Sequence, residues 1–137
     1  MAEVVNTLPT IKLGDHDITR LIIGGNPIYG WSHFNRVLSD SMRNYHTPER
    51  VVELLKHATA QGISTWQNSY SERVLADVER AREAGVKFNW LRLGNPDWDT
   101  HPAYIEDAAK HKPIGIAPHG WLGERLHRED KLNVLTV

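Results

Sequence analysis

Gly62-Ile63-Ser64-Thr65-Trp66-Gln67-Asn68-Ser69-Tyr70-Ser71 stands between two stretches of helical periodicity. Before it, Val51, Leu54, Leu55 and Ala58 recur at helical spacing. Thr47 can cap that helix, Pro48 suits its first position, and Glu49 complements its dipole. Gly62 is the expected stop. Ile63 to Gln67 reads as a buried strand, and Asn68 to Ser71 as its polar end. Ser71-Glu72 opens the next helix, with Val74, Leu75, Val78 and Ala81 on one face and Gly85 ending it. Helix, strand, helix in this order indicates an α/β protein with parallel strands. In such folds the polar end of a strand is where ligands and chemistry are placed.

The pattern extends in both directions. Thr10 to Leu13 and Asp17 to Thr19 flank Gly14-Asp15-His16, a hairpin with a glycine-containing turn. Arg20 to Ile23 is an apolar run ending at Gly24-Gly25 and reads as a strand. Asn26 to His46 is read as a long, aromatic-rich, ligand-facing loop, with helical composition over Arg36 to Met42. Downstream, Val86 to Leu93 is expected as a strand and His101 to Lys110 as a helix capped by Asp99-Thr100. Pro113 to Ala117 is expected as a strand and Trp121 to Glu129 as a helix.

At 137 residues the chain offers one domain's worth of core. A formal net charge of -1 gives no drive toward nucleic acid or an anionic membrane. There is no cysteine, so disulfide and thiolate chemistry are excluded. No apolar run approaches the roughly 20 residues a membrane helix needs. Met1 to Pro9 lacks a basic segment followed by an apolar core, so the expected location is cytoplasmic.

Two motifs resemble the aldo/keto reductase superfamily. One is Leu13-Gly14-Asp15-His16-Asp17-Ile18-Thr19-Arg20-Leu21-Ile22-Ile23-Gly24-Gly25, similar to that family's opening hairpin. The other is Ala58-Thr59-Ala60-Gln61-Gly62-Ile63-Ser64, similar to the end of its first barrel helix. The resemblance implies a parallel (β/α) half-barrel, the N-terminal half of a TIM barrel with an N-terminal β-hairpin. The whole chain, 1–137, would be a single incomplete domain, because a full barrel takes about 250 residues. It further implies NADP(H)-dependent reduction of a small-molecule carbonyl substrate.

In that family a tyrosine donates a proton, aided by a lysine, an aspartate and a histidine. Carried onto this chain, Tyr70 is the candidate proton donor and His119 the candidate for orienting the carbonyl. Gln67 stands where the aspartate belongs, Tyr70 follows it more closely than in the family, and Arg92 lies near the lysine position. Gly25 and Asn26 would face the cofactor's nicotinamide end. The units that bind most of the cofactor in the family have no counterpart here. The expectation is therefore an oxidoreductase-like protein that is inactive or weakly active as this chain.

Two rival readings come from the residues themselves. Asp97, Asp99, His101 and His119, with His33 and His46, could serve a metal-dependent hydrolase or isomerase. Alternatively the chain is a non-catalytic half-barrel that works by assembly, as a homodimer or with a second half-barrel. Each reading also has a plain competitor. His119 before Gly120-Trp121 could simply cap a helix, Tyr70 could pack at a strand end, and Gly25 could serve a tight turn.

Overall fold

The structure is a computed structural model and describes residues 8–94, 101 and 103–135. Strands β1 (Thr10–Leu13) and β2 (His16–Thr19) form an antiparallel hairpin turned by Gly14, whose φ is +56°. β3 (Ile23–Gly24), β4 (Thr65–Ser69), β5 (Asn89–Leu93) and β6 (Gly115–Ala117) form a parallel sheet in that order. The helices are α1 (Asn26–Tyr29), α2 (Arg36–Tyr45), α3 (Pro48–Ala60), α4 (Glu72–Glu83), α5 (Ala103–Lys110) and α6 (Gly120–Arg128). A short 3-10 turn covers Leu132–Leu135. The fold is thus mixed α/β, with a four-stranded parallel sheet and a separate hairpin.

The two faces of the sheet have different partners. Side chains alternate across a strand, so Trp66 and Asn68 on β4 share one face with Trp90 and Arg92 on β5. That face carries the core. Trp66 and Trp90 pack with Val51, Val52 and Leu55 of α3, Val74, Val78 and Ala81 of α4, and Ile28 of α1. Each fully buried aliphatic side chain here contributes about 1.5–3 kcal/mol. Phe88 meets the Trp66 ring edge-on at 5.7 Å.

The hairpin covers the opposite face at the starts of the strands. Thr65 Oγ1 accepts from the Thr19 backbone N–H at 3.0 Å, and the Thr19 hydroxyl lies 3.1 Å from the same oxygen. Asn89 Nδ2 donates to the Asp17 carbonyl at 2.8 Å. A Cβ on Gly115 would stand 3.6 Å from Leu13 Cδ2. Thr65, Asn89 and Gly115 are the first residues of β4, β5 and β6. The C-terminal strand ends are left to the loops that follow them.

Capping follows the sequence. Thr47 accepts from Arg50 N at the start of α3, with Pro48 at the first helical position. Ser71 accepts from Val74 N at the start of α4. Gly62 and Gly85 take φ of +84° and +75° just past the two helices. The strands start later than the apolar runs suggest. The run from Arg20 to Ile23 yields only Ile23–Gly24 as strand, and Leu21 and Ile22 are exposed because no described residue covers them. The segment read as a loop, Asn26 to His46, holds α1 and the full ten residues of α2. Asn35 fixes the start of α2 by accepting from Leu38 N at 2.8 Å. The predicted cap of α5, Asp99-Thr100, lies outside the described residues.

Candidate functional site

A cavity of about 240 Å³ opens at the C-terminal ends of β3 and β4. Gly25, Asn26 and Tyr70 line it, with Trp31, Arg43 and Arg73 among the remaining walls. Three of the candidates singled out in the sequence are therefore together. They come from two adjacent parallel strands, whose ends necessarily converge. Gly25 allows the convergence. A Cβ there would lie 2.8 Å from Asn68 Cβ, so a larger residue would push the β3 end away from β4.

Tyr70 sits between the end of β4 and the Ser71 cap and is partly exposed. The Arg92 guanidinium carbon lies 4.1 Å from its ring centroid, a cation–π contact. The His111 ring centroid is 6.5 Å from that of Tyr70. Arg92 is buried at 3% exposure, and its Nη1 has no hydrogen-bond partner among the described residues. Burial holds the Arg92 pKa below its ordinary value, against the opposing pull of Tyr70 and Asp107.

A second polar group joins two residues of the cavity lining, Tyr29 and Arg73. Asp77 on α4 is wholly buried, yet Arg73 Nε reaches it at 2.7 Å and Arg80 Nη1 at 3.5 Å. The Tyr29 hydroxyl donates to the same carboxylate at 3.3 Å. Burial first, and then the Asp77 charge, push the Tyr29 pKa well above the usual phenol range. Arg73 Nη2 also donates to the His46 carbonyl at 2.6 Å, tying α4 to the turn before α3.

The other two candidates stand apart from the cavity lining. Gln67 lies one residue before Asn68 and points to the opposite face of the sheet, in register with Gly24 and Leu91. His119 caps α6, its Nδ1 accepting from the Trp121 N–H at 3.2 Å. Arg92, near the lysine position, shares the helix-facing side with Trp90 and reaches Tyr70 from there. Asp97 and Asp99 of the metal reading lie outside the described residues. Among the described residues no cluster of three or more His, Asp or Glu could hold a metal ion. No helix among them is long and apolar enough to cross a membrane.

Sequence reasoning missed Arg43 and Arg73 as pocket residues. Arg73 had a signal, since it follows the Ser71 cap by two positions and must lie in the first turn of α4. Arg43 had none, because its place depends on how α2 folds back to α1. There Gly30, with φ of +75°, lets Ser39 and Arg43 approach so closely that a Cβ would lie 2.5 Å from atoms of both.

Comparison of the chain with protein-family models, with curated proteins and with solved structures gave no match.

Proposed function

We propose that the chain is a divergent aldo/keto-reductase-like half-barrel whose pocket at Tyr70 holds a small carbonyl compound, with reductase turnover weak or absent. The supporting observation is that Gly25, Asn26 and Tyr70 line one cavity at the strand ends. The Tyr70 hydroxyl is the donor for a carbonyl oxygen, and Arg92 is the cation beside its ring. The single direction of strand order and the hairpin over the strand starts agree with a barrel wall closed at its bottom.

The cavity does not fit a whole dinucleotide. At about 240 Å³ it falls below the roughly 300–1,000 Å³ of sites for drug-sized ligands. No step through NADP(H) is therefore assigned to this chain. With Gln67 on the far face and His119 engaged at a helix end, Tyr70 lacks two of the partners that the resemblance implies.

The test is titration of the purified chain with acetophenone and, separately, with NADPH, followed by tryptophan fluorescence. Acetophenone binding is expected without NADPH. Tyr70→Phe should weaken it by about three- to tenfold, the worth of one hydrogen bond. Unchanged affinity in Tyr70→Phe would remove the reading.

A second reading is favoured by the sheet edges. β3 and β6 each have one side without a strand partner among the described residues, and Ile11, Leu13, Leu21 and Ile22 are exposed. Parallel edges of opposite kind can pair β6 of one chain with β3 of another, and two four-stranded sheets make eight strands. A solution mass of two chains by light scattering would favour assembly, and a stable monomer would count against it.

A further inference from the structure

We infer that Arg92 anchors a small anion with a flat apolar body, an aryl carboxylate in chemical class, which reaches it when the Tyr70 side chain turns aside. The inference rests on the ligand pocket proposed above, and does not need its carbonyl chemistry. Arg92 is 97% withdrawn from solvent, being 3% exposed, and still has an unpartnered Nη1 among the described residues. A buried charge is retained at a cost unless something pairs with it. Asp107 attracts it without forming an ion pair, and is itself 3.5 Å from Lys110.

Tyr70 connects this cation to the cavity. Its ring rests on the guanidinium, it belongs to the cavity lining, and it is 37% exposed, so solvent leaves it room to rotate. Rotation exchanges a cation–π contact for a charge-assisted, bidentate pair with a carboxylate, the stronger interaction. The lining favours the same ligand class. It includes Arg43, paired with Asp40, and Arg73, paired with Asp77, and no carboxylate among the described residues. Tyr29, Trp31 and Val74 supply apolar surface for an aromatic ring.

The experiment titrates phenylacetate, phenylpyruvate and acetophenone into the intact chain while arginine side-chain N–H resonances are followed by NMR. Phenylacetate and phenylpyruvate should move the Arg92 Nε–Hε signal and bind at least about tenfold more tightly than acetophenone. Arg92→Gln should abolish that preference, and Arg92→Lys should restore part of it. If Arg92→Gln does not fold, the wild-type spectrum decides. An Arg92 signal that stays fixed at saturation, or movement confined to Arg43 and Arg73, overturns the inference. Phenylacetate binding through Arg92 without acetophenone binding supports the anion site and removes the carbonyl reading. Equal affinity for acetophenone and phenylacetate does the reverse.

Discussion

The Trp90 indole N–H donates to Asn68 Oδ1 at 2.6 Å, joining β5 to β4 inside the helix-facing core. Asn68 Nδ2 and the Trp66 indole N–H lie in the same layer with no partner among the described residues. Two tryptophans of nearly equal burial thus differ in one respect: only the Trp90 nitrogen is bonded.

That difference predicts unequal costs for the same substitution. Trp90→Phe removes the bond and leaves the whole Asn68 carboxamide unsatisfied, a penalty of about 1–3 kcal/mol beyond lost packing. Trp66→Phe removes a donor that has no acceptor among the described residues, so only the packing loss remains. Urea unfolding should place the Trp90→Phe midpoint clearly below that of Trp66→Phe. Equal midpoints would mean the buried bond contributes nothing net.

The glycines at the cavity rim predict a second ordering. Gly25→Ala brings a Cβ to 2.8 Å from Asn68 Cβ, an overpacking cost of about 1–3 kcal/mol. Gly30→Ala combines a left-handed φ of +75° with a Cβ 2.5 Å from the Ser39 carbonyl oxygen, which is backbone and cannot turn away. Thermal denaturation should show Gly30→Ala lowering the melting temperature more than Gly25→Ala. An ordering of the opposite sign would show that α1 and α2 shift freely against each other.

The parts of the fold set by local chemistry were legible before the structure. Thr47-Pro48 and Ser71 start their helices, and Gly14, Gly62 and Gly85 take left-handed turns, because those effects act within a few residues. What depends on distant partners was not. Leu21 and Ile22 look like strand residues, but they lie outside the paired part of β3 and remain exposed. α2 has an apolar side, Val37 and Leu38 included, yet buries no residue, so its composition could not show how it would sit. At the site, Gly25, Asn26 and Tyr70 were found together because strand ends converge. Alternation along β4 and β5 could also have put Arg92 beside Trp90, since both are two residues apart on one face. Asp77 gave little sign of its burial. It falls among Val74, Val78 and Ala81, and only Arg73 and Arg80 at helical spacing hinted at a partnered carboxylate.

Tyr29 predicts behaviour at high pH. Its folded pKa is raised, so its contribution is fully present below the unfolded phenol pKa of about 10 and is lost as pH rises beyond that value. Above it the unfolded chain releases the proton while the folded chain keeps it, which favours unfolding. Stability measured by urea titration should therefore fall with pH above about 10, and the fall should be shallower in Tyr29→Phe. The slope is the readout, since the substitution also removes the bond to Asp77. Identical slopes would show that Tyr29 ionises in the folded chain as freely as in the unfolded one.

Arg73 and Asp77 give the sharpest test of what supports the cavity floor. Asp77 is wholly buried and pairs with Arg73 at 2.7 Å more closely than with Arg80 at 3.5 Å, the two arginines being similarly exposed. Arg73→Ala leaves the carboxylate short of its main partner and also releases the His46 carbonyl, and should cost about 2–3 kcal/mol. Arg80→Ala should cost under about 1 kcal/mol, because its contact with Asp77 is longer and it holds no second partner among the described residues comparable to the His46 carbonyl. Removing both charges together is different, because a buried pair replaced by apolar side chains leaves no stranded ion. Arg73→Met combined with Asp77→Leu should therefore be more stable than Arg73→Ala alone. A double-mutant cycle by urea unfolding measures the coupling directly. Additive losses from Arg73 and Asp77 would show that the pair is not coupled, and the cavity floor would have to be held by the apolar contacts of α4 alone.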